Sequence, residues 1–145
     1  MEHGFLAVEV HRDRPGLVRL LNLTHPPESA AFSSQPTRVC YAARFSDREA
    51  AIMHTHEIFK RKLVDSDSHL YRAQPEDVIG AIESLSLSHR DIYLSPDFDA
   101  TSRQRIETAR VKAIGQRRRK EKLFETVGYV ALGILLFNFF VFSFA

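Results

Sequence analysis

Gly4-Phe5-Leu6-Ala7-Val8-Glu9-Val10 and Leu17-Val18-Arg19-Leu20-Leu21-Asn22-Leu23 flank the segment Arg12-Asp13-Arg14-Pro15-Gly16, and this stretch decides the fold. The first run alternates weakly and is β-prone, carried by Phe5, Leu6, Val8 and Val10. Pro15 fixes φ at the second position of a tight turn, and Gly16 accepts the positive φ that the third position requires. Two apolar runs joined by such a turn predict an antiparallel hairpin.

Outward from the hairpin, Thr24-His25-Pro26-Pro27-Glu28 breaks the pattern. About one helical turn is expected over Ser29 to Ser33, then a loop at Ser34-Gln35-Pro36. Thr37 to Phe45, built on Val39 and Tyr41, reads as a third strand. Ser46-Asp47-Arg48-Glu49 starts a helix, with Ser46 expected to cap its free amides and Glu49 to reach back. The helix should run to about Lys62 or Leu63, with Ile52, His56, Phe59 and Leu63 toward the sheet. Asp65-Ser66-Asp67-Ser68 is a polar turn, and His69-Leu70-Tyr71-Arg72 a short strand. Pro75-Glu76-Asp77 opens a second helix, since Pro suits the first turn and acids there suit the dipole. Val78, Ile79, Ile82 and Leu85 supply its buried face, which ends near Leu87.

The expected fold is therefore α+β over residues 1–88. It is a small mixed or antiparallel sheet of three to four strands flanked by helices. Residues 89–122 read as a charged helical connector. Ser88 to Ala100 is irregular around Pro96, and Thr101 to Lys122 is solvated, with only Ile106, Val111 and Ile114 breaking its polarity. Gly115 is its weak point.

Residues 123–145 read as one transmembrane helix. From Val127 to Ala145 about nineteen residues pass without a charge, and Phe137, Phe139, Phe140, Phe142 and Phe144 crowd the end. At about 1.5 Å per residue that is roughly 28 Å, close to the ~30 Å of a bilayer's hydrocarbon. Asn138 and Ser143 are its polar interruptions, which a membrane helix tolerates by bonding neighbouring backbone. Arg117, Arg118, Arg119, Lys120 and Lys122 form a collar for the membrane surface, where each cation gains about 1 kcal/mol from anionic headgroups. The collar predicts a tail-anchored, single-pass protein with its N-terminal domain cytoplasmic, at the inner membrane in a bacterium. A secretory leader is not expected, because Glu9, His11, Arg12 and Asp13 interrupt the first apolar run.

Charge separates the two regions. The chain has 20 Lys and Arg against 18 Asp and Glu. Residues 103–145 carry a formal +6, which leaves −4 for the other 102. A nucleic-acid binder concentrates positive charge on its binding domain, so the acidic head does not support nucleic acid as its partner. Lipid headgroups account for the basic block, and a protein partner is expected for the head. The single Cys40 excludes an intrachain disulfide and fits a reducing compartment. Between Val39 and Tyr41 it reads as a buried, inert thiol.

No metal site is assigned. His54 and His56 point about 200° apart on a helix and cannot share an ion. Asp65, Asp67 and His69 read as a solvated turn. Neither a glycine-rich phosphate loop nor a serine nucleophile elbow is present in the sequence.

The order of Gly4-Phe5-Leu6, Pro15-Gly16-Leu17-Val18-Arg19-Leu20, Val39-Cys40-Tyr41-Ala42 and Ser46-Asp47-Arg48-Glu49-Ala50 resembles the GIY-YIG nuclease superfamily in its phage and bacterial branch. His56-Glu57-Ile58-Phe59, His69-Leu70-Tyr71-Arg72 and Pro75-Glu76-Asp77-Val78-Ile79 extend the resemblance over roughly residues 3–86. It implies a divalent-metal-dependent DNA endonuclease ancestry, with Mg or Mn as cofactor only where cleavage survives. The family-equivalent positions are Phe5, Arg19, His56, His69 and Tyr71. Phe5 lacks the hydroxyl of the family's first Tyr, and Arg19-Leu20-Leu21 lacks the second Tyr and the closing Gly. Glu28-Ser29-Ala30-Ala31-Phe32 offers no Arg, and Asp67-Ser68-His69-Leu70 offers no Glu. Phosphodiester cleavage needs a base, an anchored metal and positive charge on the phosphate. The resemblance thus implies a degenerate, pseudoenzyme-like relative without confident catalytic residues. The expected function is a membrane-tethered, non-catalytic interaction module; the alternative is an endonuclease anchored at the membrane.

Overall fold

The computed structural model describes residues 3–32 and 36–143. Ser33 of the expected helical turn, Ser34 and Gln35 of the expected loop, and Phe144 and Ala145 of the tail lie outside the described residues. The chain divides into two units, Met1–Val111 and Lys112–Ala145.

The first unit is built on strands β1 (Gly4–His11), β2 (Leu17–Leu23), β3 (Thr37–Phe45), β4 (Leu63–Asp65), β5 (Leu70–Arg72) and β6 (His89–Leu94). They form one six-stranded sheet in the order β4-β5-β2-β1-β3-β6, and each neighbouring pair is antiparallel. The β1–β2 turn follows from its residues: Gly16 has φ +83, and the Leu17 N–H donates to the Arg14 carbonyl at 3.3 Å. The Gly16 carbonyl in turn accepts the Ala73 N–H at 2.9 Å, which ties the turn to the chain leaving β5.

The α+β class stands, but the sheet has six strands rather than three to four. The two additions are short or irregular in sequence. β4 is three residues long, and β6 lies in the stretch expected to be irregular. β6 pairs with β3 from Phe45↔His89 to Tyr41↔Leu94, with a register shift between Ala42 and Ala43 that blurs its alternation. The expected domain end at residue 88 is corrected accordingly, because the first unit includes β6 and runs to Val111.

Both faces of the sheet are partly covered. On the first face Leu6, Val8, Val18, Leu20, Tyr41 and Phe45 are buried, each large aliphatic contributing about 1.5–3 kcal/mol. Helices α1 (Arg48–Phe59) and α2 (Pro75–Glu83) cover them. On the second face Ala7, Val39 and Ala42 are buried beneath Phe32, Tyr93 and Leu21. The β1–β3 register shifts between Val8 and Glu9, so an extra residue lets Val39 and Ala42 share a face although three positions apart.

The capping of α1 differs from expectation. Asp47 is the N-cap, accepting the Ala50 N–H at 3.0 Å, while the Ser46 hydroxyl donates to the Ser88 carbonyl. The buried stripe is Arg48, Ala51, Thr55 and Phe59, with Ile52 and Leu63 at its margin. Thr55 is tolerated inside because its hydroxyl donates to the Ala51 carbonyl at 2.8 Å. A short 3₁₀ turn over Lys60–Lys62 ends the segment. In α2, Val78, Ile79 and Ile82 are buried as expected.

Helix α3 spans Ala100–Ser143. Its opening turns correct the reading of Thr101–Lys122 as wholly solvated, because Ile106 is only 5% exposed. The reason lies in α2. A Cβ on Gly80 would stand 2.5 Å from the Ile106 carbonyl oxygen, 2.7 Å from Ala109 Cβ and 2.8 Å from the Arg110 nitrogen. Only a residue without a side chain lets the two backbones come so close. Gly115, the expected weak point, lies within α3.

Candidate functional site

The family-equivalent positions divide between the two faces of the sheet. Phe5 pairs with Leu23 and Arg44, and its alternation with Ala7 puts it half-buried on the second face. Arg19 is on that face too, opposite Glu9 and Leu70. Its guanidinium reaches Glu9 at 3.7 Å and donates to the Ser68 carbonyl at 3.3 Å. Tyr71 is fully buried on the first face with Val18. Its hydroxyl and His56 Nδ1 share a 3.0 Å hydrogen bond, and the Phe59 ring meets it edge-on at 6.2 Å. Burial pushes the Tyr71 phenol up from its ordinary pKa. His69 occupies the turn before β5 with φ +49, a left-handed conformation that is costly for a side-chain-bearing residue. Its carbonyl accepts the Leu20 N–H at 3.1 Å, a reason for the turn to be held there. Only His56 and Tyr71 are brought together.

Asp65 is occupied locally, accepting from the Ser68 and Asp67 amides at 3.2 and 3.4 Å and from the Ser68 hydroxyl. These bonds hold its carboxyl below the usual range. No cluster of three or more His, Cys, Asp or Glu side chains forms a metal site among the described residues.

A second constellation lies where α2, β6 and the start of α3 meet. The buried Tyr41 hydroxyl donates to Asp91 Oδ1 at 2.5 Å. Burial, then that bond, pushes the Tyr41 phenol far above its ordinary value. Glu83 is raised too, first by burial and then by the Asp91 carboxylate, against the lowering pull of Arg110. Arg110 itself reaches Glu107 at 3.2 Å. Cys40 Sγ donates to the Val8 carbonyl at 3.3 Å, and burial lifts its thiol to about 12. Such a thiol is protonated and closed off, so it is no nucleophile.

A cleft of about 910 Å³ opens at the turn end of the sheet. His11, Arg12, Arg14 and Gly16 line it from β1 and its turn, Arg38 from β3, and Tyr93, Ser95 and Asp97 from β6 and beyond. Antiparallel pairing brings these segments together, because the end of β1, the starts of β2 and β3 and the end of β6 share one edge. Arg38 is ion-paired with Asp97. Ser95, buried, takes a strand-like bond from its N–H to the Cys40 carbonyl at 2.8 Å. The Phe32 and Tyr93 rings meet at a tilt of 35° with centroids 4.0 Å apart. Sequence reading took Arg12 and Arg14 only as turn residues and missed β6, so this grouping went unseen. The arginines flanking Asp13 at a predicted turn were the available signal.

In the second unit, Arg117, Arg118, Arg119, Lys120 and Lys122 are all exposed, with Arg117 reaching Glu121 at 3.7 Å along the helix. Beyond them α3 is long and apolar enough to cross a membrane, and no part of the apolar window is buried. Phe142 is 81% exposed.

No family model, curated protein or solved structure matches the chain.

Proposed function

We propose that this protein is a single-pass, membrane-tethered module whose sheet domain binds a partner on the cytoplasmic face and does not cleave nucleic acid. The observation that carries the proposal is the unburied apolar stretch of α3 directly behind the five-cation collar. Side chains such as Leu132, Leu135, Phe137 and Phe139 are exposed to whatever surrounds the helix. Hydrocarbon accommodates them at a gain that water does not offer. The collar favours the leaflet with anionic headgroups, which fixes the head on that side.

The proposal includes descent from GIY-YIG nucleases, with the cleavage site lost. Phe5 and Arg19 on one sheet face and His56 and Tyr71 on the other favour binding over cleavage, since metal-assisted hydrolysis needs its groups within a few ångströms of one phosphate. His56 and Tyr71 satisfy one another in the core.

Cells expressing the full chain with a reporter at its N-terminus test the tether. The protein should stay with membranes through alkaline carbonate washing, and its reporter should be digested by protease in inverted vesicles. A protected reporter there overturns the orientation, and extraction by carbonate overturns the span. The purified full chain should leave supercoiled DNA intact with Mg²⁺ or Mn²⁺; cleavage that His56→Ala abolishes would establish the nuclease reading instead.

A further inference from the structure

We propose that α3 pairs within the membrane with the α3 of a second copy of this chain, along a seam of Val127, Ala131, Ile134, Asn138 and Val141, the two Asn138 carboxamides bonding each other. This pairing rests on the membrane reading of α3 and adds to it a partner inside the bilayer. The Thr126 hydroxyl is satisfied by its own helix, donating to the Lys122 carbonyl at 2.8 Å. The Asn138 side chain, in contrast, is exposed and has no hydrogen-bond partner among the described residues. Asn138 follows Val127 by eleven positions. At about 1.5 Å per residue that is roughly 16 Å into a hydrocarbon layer of ~30 Å, so the amide lies near its middle. The side chain is too short to reach water from there, and an unpaired amide in hydrocarbon is costly.

The chemistry of the amide selects a second copy as the occupant. A carboxamide carries both donors and an acceptor, so it is complementary to itself. Two of them related by a two-fold axis satisfy one another, each donating to the other's oxygen. Copies inserted in the same direction hold Asn138 at the same depth. Lipid tails offer no polar group at that depth, and water is absent there. An Asn within an otherwise apolar seam also fixes the register of the two helices and the number of strands.

The residues around Asn138 supply the packing. Seam positions 127, 131, 134, 138 and 141 alternate steps of four and three. That repeat of about 3.5 residues keeps one stripe against a partner in a left-handed supercoil. Val127, Ile134 and Val141 are exposed on the isolated helix, and each holds one dominant χ1 rotamer, so packing costs them little entropy. Val130 is the one other β-branched residue between Val127 and Ser143. Leu136 and Phe140, each two positions from Asn138, stand on the opposite side of the helix. Continued toward the head, the stripe reaches Lys120 and Arg117, whose like charges repel between parallel copies. The contact therefore begins beyond the collar, where the hydrocarbon starts.

Energy transfer between donor- and acceptor-labelled copies tests this, using the full chain labelled at its N-terminus and reconstituted at a low protein-to-lipid ratio in phosphatidylcholine vesicles. Transfer should rise linearly with the acceptor fraction, as a dimer requires, and unlabelled chain should compete it away. Asn138→Leu only makes the span more apolar, so it should stay in the vesicles and dissociate about tenfold more readily. Ile134→Ala should weaken the pair in the same direction, whereas Leu136→Ala should leave transfer unchanged. A parent chain that withstands carbonate washing of the vesicles yet shows no transfer above random crowding overturns the pairing and leaves the tether standing. Release of the chain by carbonate overturns both. Equal transfer in the parent and Asn138→Leu overturns the pairing as well, since association would then lie outside the seam. So does an equal loss in Ile134→Ala and Leu136→Ala, or the curved acceptor dependence of a larger assembly.

Discussion

The sheet unit and the tail use the same apolar alphabet to opposite ends. In the sheet, Leu6, Val8, Val18 and Ile79 are fully withdrawn from water, and the hydroxyls buried with them find partners at Asp91, His56 or a helix carbonyl. In the tail, Leu135, Phe139 and Phe142 are each more than half exposed. The difference teaches where each region's stabilisation originates. The sheet obtains its burial from its own chain. The tail has no such cover, and an apolar surface of that extent calls for a second solvent.

The strongest way to break the comparison is to make the tail unfit for lipid. Arg at the centre of a span costs about 3 kcal/mol on insertion scales, so Leu135→Arg with Phe139→Arg should cost about 6 kcal/mol together. The doubly substituted protein should move from the membrane pellet to the soluble or aggregated fraction. Its head is expected to keep its far-UV circular dichroism. Retention of the double variant in carbonate-washed membranes would show that the tail is not what holds it there.

Next in size is a substitution that discriminates glycines by region. Gly80→Ala forces a methyl against the backbone of Ile106 and Arg110, which cannot rotate away. Overpacking of this kind costs typically 1–3 kcal/mol, and the rigid neighbours put the expectation at about 3. Nothing stands within 4 Å of a Cβ at Gly128 or Gly133, so Ala at either should leave the head's thermal midpoint unchanged. A head that tolerates Gly80→Ala would refute the close packing of α2 on α3.

How much of this was legible follows from the range over which each signal acts. Pro15-Gly16 is a local signal, and the hairpin it predicts is present. The tail's hydropathy is a local signal too. The α1 stripe was misread because Thr55 is polar by type and buried only once its hydroxyl is bonded one turn back. β6 depends on a long-range pairing with β3 across a register shift, and its His89-Arg90-Asp91 start looks like solvent-facing chain. Missing β6 had a consequence for the site, since Tyr93, Ser95 and Asp97 enter the cleft only through it. The Gly80 contact was equally out of reach, because a glycine within an apolar helix gives no hint of which neighbour it admits.

A smaller effect probes burial by protonation. Cys40 titrates near 9.0 when unfolded and near 12 in the folded protein. Between those values the unfolded chain has released a proton that the folded chain keeps, so stability falls as pH rises. The loss should approach about 1.4 kcal/mol per pH unit once above 9. Cys40→Ala should flatten the urea midpoint against pH in that window by this amount. Iodoacetamide should leave the native thiol unmodified at pH 8. A Cys40→Ala profile that falls as steeply as the parent's would mean the thiol is not withdrawn from water.

The finest test lies at the seam between the sheet and α3, where Glu83 faces Asp91, Glu107, Arg110 and His89. Its carboxyl is raised above 4.5, by burial first and by Asp91 second, with Arg110 pulling the other way. The unfolded chain therefore gives up this proton at lower pH than the folded chain does, and the contribution to stability declines as pH rises through that interval. At neutral pH the whole penalty is in place. Glu83→Gln keeps the shape and removes the charge, so it should raise the denaturation midpoint at pH 7. The gain should stay below about 1 kcal/mol, because the group is half exposed and solvent screens it. Near pH 4 the native glutamate is already protonated, and the gain should vanish. Equal gains at both pH values would place the effect in packing, whereas a loss at pH 7 would mean that Arg110 outweighs Asp91 and burial together.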